Sequence, residues 1–233
     1  MRVRVRVRVR VRPAVKKKKY PPTNGSEIIF DDQPWRSIGK GSNNCYAYAV
    51  NDFNLYRTQK STPGNSTRIN NSKLPPYETP LGLKKRILLD NPGKIYSTRA
   101  MCKCKPKFYK MMMFVAMDGK SFGDFHFYKQ HSEVRYRVQP GDTYTKIAKF
   151  FSVPVSRVRD AGPLVIDRKI QFKADCFSHK QGYGTGPLLT DARGKPIRDA
   201  RYANKNYGFL NYKIYGGSFC VKNKGIQVGN TYA

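Results

Sequence analysis

Three residues in this sequence have the types and surroundings that nucleophilic chemistry needs. Cys45 sits in Asn43-Asn44-Cys45-Tyr46-Ala47-Tyr48-Ala49, His126 in Asp124-Phe125-His126-Phe127-Tyr128, and His179 in Ser178-His179-Lys180-Gln181-Gly182. A cysteine at a helix start has its thiolate favoured by the helix dipole. A histidine on a neighbouring strand can take its proton, and a third polar group can orient that histidine. By position, Cys45 would be the nucleophile, His126 the base and His179 the orienting residue. The chain has only three histidines, and two fall in these segments; His131 is the third. An inert reading stands beside this one: Cys45 as a small core side chain, His126 as a satisfied strand residue and His179 as a loop residue.

The five cysteines are Cys45, Cys102, Cys104, Cys176 and Cys220. An odd number at irregular spacing argues against a disulfide framework and predicts reduced thiols in an intracellular protein. Cys102-Lys103-Cys104 could supply two thiolates of a metal site, but that spacing alone defines none. No metal and no cofactor is expected.

The elements that must position these residues follow from periodicity. Residues 43–55 read as a helix start, with Asn43 or Asn44 as cap and Tyr46, Ala49, Val50 and Phe53 on one face. Residues 61–80 form a polar loop, and 81–90 a short amphipathic helix. The run Met111-Met112-Met113-Phe114-Val115-Ala116-Met117 predicts a buried strand and 123–130 another, with short strands near 187–190 and 213–222. The mixture predicts an α+β fold.

Charge is the other dominant signal. Lys plus Arg total 45 against 15 Asp plus Glu, a formal +30. Arg2, Arg4, Arg6, Arg8, Arg10 and Arg12 alternate with valine, and Lys16, Lys17, Lys18 and Lys19 follow Pro13. These ten cations make residues 1–19 a basic arm, and +30 less +10 leaves +20 on the rest. Such charge implies a polyanionic partner. A period of two suits strand addition to a neighbour's sheet edge, with the arginines free to meet phosphate. There is no apolar run long enough for a membrane helix, and Met1 is followed by Arg-Val repeats rather than an apolar leader, so no secretory signal is expected.

Residues 136–172 resemble the LysM module, a small βααβ unit. Tyr136, Val138, the Pro140-Gly141-Asp142-Thr143 turn, Ile147, Ala148, Phe151, Val153, Val155, Val158, Ile170 and Phe172 carry the likeness. Asp142 or Thr143 would cap its first helix. LysM modules bind N-acetylglucosamine polymers. Beyond residue 158 this sequence is short and lacks the usual Asn after the second helix, near where a sugar groove would form. The resemblance therefore implies the module's fold and does not carry glycan binding over.

Segments on either side of the module resemble a papain-like Cys–His domain related to the NlpC-type peptidases. They are Asn44 to Ala49, Asp124 to Gln130, Ser178 to Gly182, Gly194 to Asp199, Tyr207 and Phe219-Cys220. The implied organisation is a basic arm over 1–19, a discontinuous papain-like domain over 20–133 and 174–233, and a LysM-like module over 134–173, whose ends must lie close together.

Three functions follow. With its charge, arm and absent leader, the chain looks like a minor capsid protein of a large icosahedral double-stranded DNA virus. It would be made in the host cytoplasm and built into the virion. Its partners would be other capsid proteins, with the arm reaching an anionic inner membrane or genomic DNA. The alternative is a cysteine amidase or peptidase acting on cell-wall peptides. The third is non-specific nucleic-acid binding, for which no recognition motif is present.

Overall fold

The computed structural model describes residues 19–37, 41–67, 69–119 and 121–229. The arm residues Arg2 to Lys18 lie outside the described residues; Lys19 is inside them and exposed. The fold is mixed α and β, built on one six-stranded sheet.

In chain order the elements are α1 (Cys45–Ala49), α2 (Pro80–Asp90), β1 (Ile95–Thr98), β2 (Phe108–Asp118), β3 (Ser121–Arg137), α3 (Tyr144–Phe151), α4 (Val155–Arg159), β4 (Lys169–Lys180), β5 (Pro187–Leu188) and β6 (Ile214–Lys222). The sheet order is β1-β6-β2-β3-β4-β5, and every neighbouring pair is antiparallel.

β2 lies between β6 and β3 and is buried on both faces, which is why it reads as a continuous apolar run. Its Tyr109, Met111, Met113 and Val115 meet α1 and α2 in one core, with Leu83, Ile87, Phe125 and Phe127. Its Met112, Phe114 and Ala116 meet a second core on the other face, closed by Ile197, Ala200 and Tyr212 from the coil before β6. Alternation along a strand makes this two-sided packing possible.

α1 is shorter than expected. Asn44 caps it by accepting from the Ala47 amide at 3.1 Å. It ends at Val50, because Asn51 takes a left-handed backbone with φ 60°, a conformation asparagine tolerates. Phe53 therefore leaves the predicted helical face and packs edge-on against Trp35. β1 was not expected. β3 is longer than predicted, because the strand at 123–130 and the strand entering the βααβ segment are one element.

That continuity defines the βααβ segment. Its outer strands are the far ends of β3 and β4, paired Val134↔Phe172 and Tyr136↔Ile170, with an irregular register between His131 and Glu133. The ends of the segment are thus adjacent, as an insertion requires. Thr143 caps α3 by accepting from the Lys146 amide, while Asp142 accepts from Tyr136 and the Gln139 amide instead. Val138, Ile147, Ala148, Phe151, Val158, Ile170 and Phe172 fill a core that also takes in Phe30, Ala174 and Cys176 from outside the segment.

Cys104 and Cys220 form a disulfide across 116 residues of sequence, which corrects the expectation of reduced thiols throughout. It ties the loop before β2 to β6. Cys45 and Cys176 are buried free thiols, and Cys102 is an exposed one. Among the described residues, no helix is long and apolar enough to cross a membrane, and no group of three or more His, Cys, Asp or Glu could hold a metal.

Candidate active site

The two histidines expected to cooperate are together. Tyr128 pairs in register with His179, which places His126 diagonally beside His179 on one face of the sheet. His126 Nε2 and His179 Nδ1 are 2.8 Å apart, and His179 Nε2 is 2.9 Å from the Thr190 carbonyl oxygen. A carbonyl only accepts, so His179 Nε2 carries a proton. In a neutral ring its Nδ1 then accepts, and His126 Nε2 must donate to it. The chain of bonds leaves Nδ1 of a neutral His126 as a bare acceptor. Burial holds both rings neutral: it draws His126 well below the usual histidine range and His179 down to about 4.

Aromatic residues surround the pair. His126 lies among Tyr128, Tyr207 and Tyr212, with ring centroids 5.1, 5.9 and 4.9 Å away. Tyr212 donates to Asp124 at 3.0 Å, and Asp124 also meets Lys60 at 2.9 Å. A cavity of about 410 Å³ opens here, lined by His126, Gln181, Tyr207, Phe209, Leu210 and Tyr212. Phe209 at its mouth is fully exposed.

Cys45 does not complete the set. Its sulfur bonds to the Phe125 carbonyl oxygen at 3.7 Å, and no hydrogen bond joins it to His126 among the described residues. Cys45 packs with Phe125 and Phe127 in the helix-side core, whereas His126 turns to the opposite face. Burial pushes the thiol up to about 12, with Asp124 adding to the rise. A five-residue helix supplies too little dipole to reverse this. The thiol is therefore held protonated rather than activated.

Two features escaped the sequence reading. Thr190 contributes through its backbone, which no side-chain pattern can reveal. The third histidine anchors a separate relay. His131 Nδ1 donates to the Ile28 carbonyl at 2.6 Å, its Nε2 accepts from Ser178 at 2.6 Å, and Ser178 accepts from Tyr48 at 2.6 Å. Burial lowers His131 to about 3, so the neutral ring is the form that makes these bonds.

Compared with protein-family models, curated proteins and solved structures, the chain matches none of them.

Proposed function

We propose that this protein is a structural, basic assembly protein: a minor capsid component of a large double-stranded DNA virus. Its arm would link it to other capsid proteins or to an anionic membrane or genome. The observation that carries this reading is Cys45, whose thiol is buried and bonded to backbone instead of to His126. The body would then be a papain-like fold retained as scaffold, with the βααβ segment as a LysM-like module. Charge supports it too: among the described residues, seven ion pairs engage six cations, so most of the basic charge is left for partners. A disulfide is at home in a particle that leaves the cytoplasm.

Cross-linking in purified virus particles tests this. The chain should be present in stoichiometric amounts, with cross-links from Lys16 to Lys19 into neighbouring shell proteins. Absence from particles overturns the proposal.

A second reading, a cysteine amidase or peptidase, is favoured by one observation, the free and oriented Nδ1 of His126 beside a cavity. Hydrolysis of cell-wall peptides that disappears in Cys45→Ala would establish it in place of the first.

A further inference from the structure

Among the described residues four lysines, Lys110, Lys129, Lys180 and Lys205, are buried, and one differs from the others. Lys110 donates to the Cys102 carbonyl, Lys180 to the Asn43 carbonyl at 2.5 Å, and Lys205 to the Ala203 carbonyl at 2.7 Å. Each of these ammonium groups has backbone oxygen to replace water. Lys129 has no backbone carbonyl and no carboxylate partner among the described residues. Its one hydrogen bond is a long 3.3 Å contact to the side-chain oxygen of Asn51, the left-handed residue that ends α1.

Rings hold it instead. Lys129 Nζ stands 3.9 Å from the centroid of Tyr48 and 5.5 Å from that of Trp35. Trp35 is in turn edge-on to both Tyr48 and Phe53. This aromatic box bounds a cavity of about 280 Å³ whose wall includes Lys129, Trp35, Tyr48, Asn51 and Phe53. The cavity lies away from His126 and Cys45, which do not line it.

We propose that Lys129 is a reactive amine that captures a small aldehyde or ketone in this cavity as a Schiff base. The neutral Nζ lone pair attacks the carbonyl carbon, and one of the two Nζ protons passes to the carbonyl oxygen to give a carbinolamine. The hydroxyl takes up a proton from solvent, the C–O bond breaks as water leaves, and the remaining N–H proton returns to solvent to give the imine. The step is redox-neutral and needs no further reactant. The aromatic walls suit an aromatic aldehyde in particular.

Burial supplies the free amine by lowering Lys129 to about 7, although the Tyr48 and Trp35 faces favour the cation. The other titratable groups facing the cavity are Tyr48, His131, Asp31 and Arg135. His131 is already bonded at both nitrogens, and Asp31 is paired with Lys169 and Arg135. Neither takes the Lys129 proton. An ordinary lysine near 10.4 is neutral in only about one molecule in 2,500 at pH 7, so Lys129 has on the order of a thousandfold more free amine.

The test is labelling of the whole protein with benzaldehyde and cyanoborohydride, followed by peptide mapping. At pH 7 the adduct on Lys129 should form at least about tenfold faster than on the median lysine, with the ratio collapsing toward one by pH 10. Lys205, lowered by burial to about 8 but bonded to carbonyls, should lag behind it. The fast phase should vanish in Lys129→Met. Labelling of Lys129 at or below the median at pH 7 overturns the proposal, as does a fast phase that survives in Lys129→Met. Mapping of the unmutated chain decides the matter even where that variant fails to fold.

Discussion

His126 Nε2 lies 2.8 Å from His179 Nδ1, and the Thr190 carbonyl on the far side of His179 fixes which nitrogen holds each proton. The pair is a neutral, directional unit inside the protein, and with His131 it makes all three histidines buried bases.

Acid should therefore destabilise the fold before carboxylates dominate. Each histidine has a folded pKa below its unfolded value, so the unfolded chain binds more protons and stability falls as pH drops below about 6.5. Asp90 acts oppositely: burial raises it to about 6, so its protonated form favours the folded state between roughly pH 4 and 6. Three protons less one leave a net two, a loss of up to about 3 kcal/mol per pH unit between pH 6 and 5. Denaturant titrations at pH 7, 6 and 5 measure it; equal stabilities at all three would contradict the neutral-histidine assignment.

Thiol chemistry should discriminate the three free cysteines. In the native protein, a thiol-reactive chromophore should titrate Cys102 rapidly and leave Cys45 and Cys176 untouched until denaturant is added. Rapid native modification of Cys45 would revive the nucleophile and count against a purely structural protein.

The disulfide should matter for stability. It closes a loop of 116 residues, so replacing both partners in Cys104→Ala/Cys220→Ala should cost about 5 kcal/mol through the unfolded chain. Equilibrium unfolding of the double variant against the parent checks this. A change under about 1 kcal/mol would mean the bond is not formed in solution.

The βααβ segment should not melt alone. Phe151 packs against Tyr136 and Phe172 at its centre, and Phe151→Ala should cost about 3 to 4 kcal/mol. Because β3 and β4 serve both cores, the loss should lower a single transition rather than split it. Two calorimetric transitions would show the segment to be an independent domain.

Much of this was legible beforehand. The Met111 to Met117 run announced β2 because a strand covered on both faces has no reason to alternate. The LysM resemblance implied the two small helices, with Ile147, Ala148 and Phe151 as the buried face of the first, and either Asn43 or Asn44 was expected to cap α1. What stayed hidden was tertiary. Nothing local says that Cys104 meets Cys220, that Asn51 turns the chain left-handed, or that strands at 123–130 and 134–137 are one. The candidate site was half legible. His126 and His179 were paired correctly by position, but the side of the strand on which each pointed relative to Cys45 depended on register. The buried lysines gave no signal, since a lysine's burial is decided by what packs around its stem.

The length of β3 has a mechanical consequence. Its seventeen residues, at roughly 3.3 Å each, make a strand about 55 Å long that runs from its hairpin with β2 to the start of the α3–α4 segment. A partner pulling on α3 or α4 would not swing a hinged lobe. It would load β3 and β4 in shear, and the first interruption that load meets is the register shift between His131 and Glu133, short of His126.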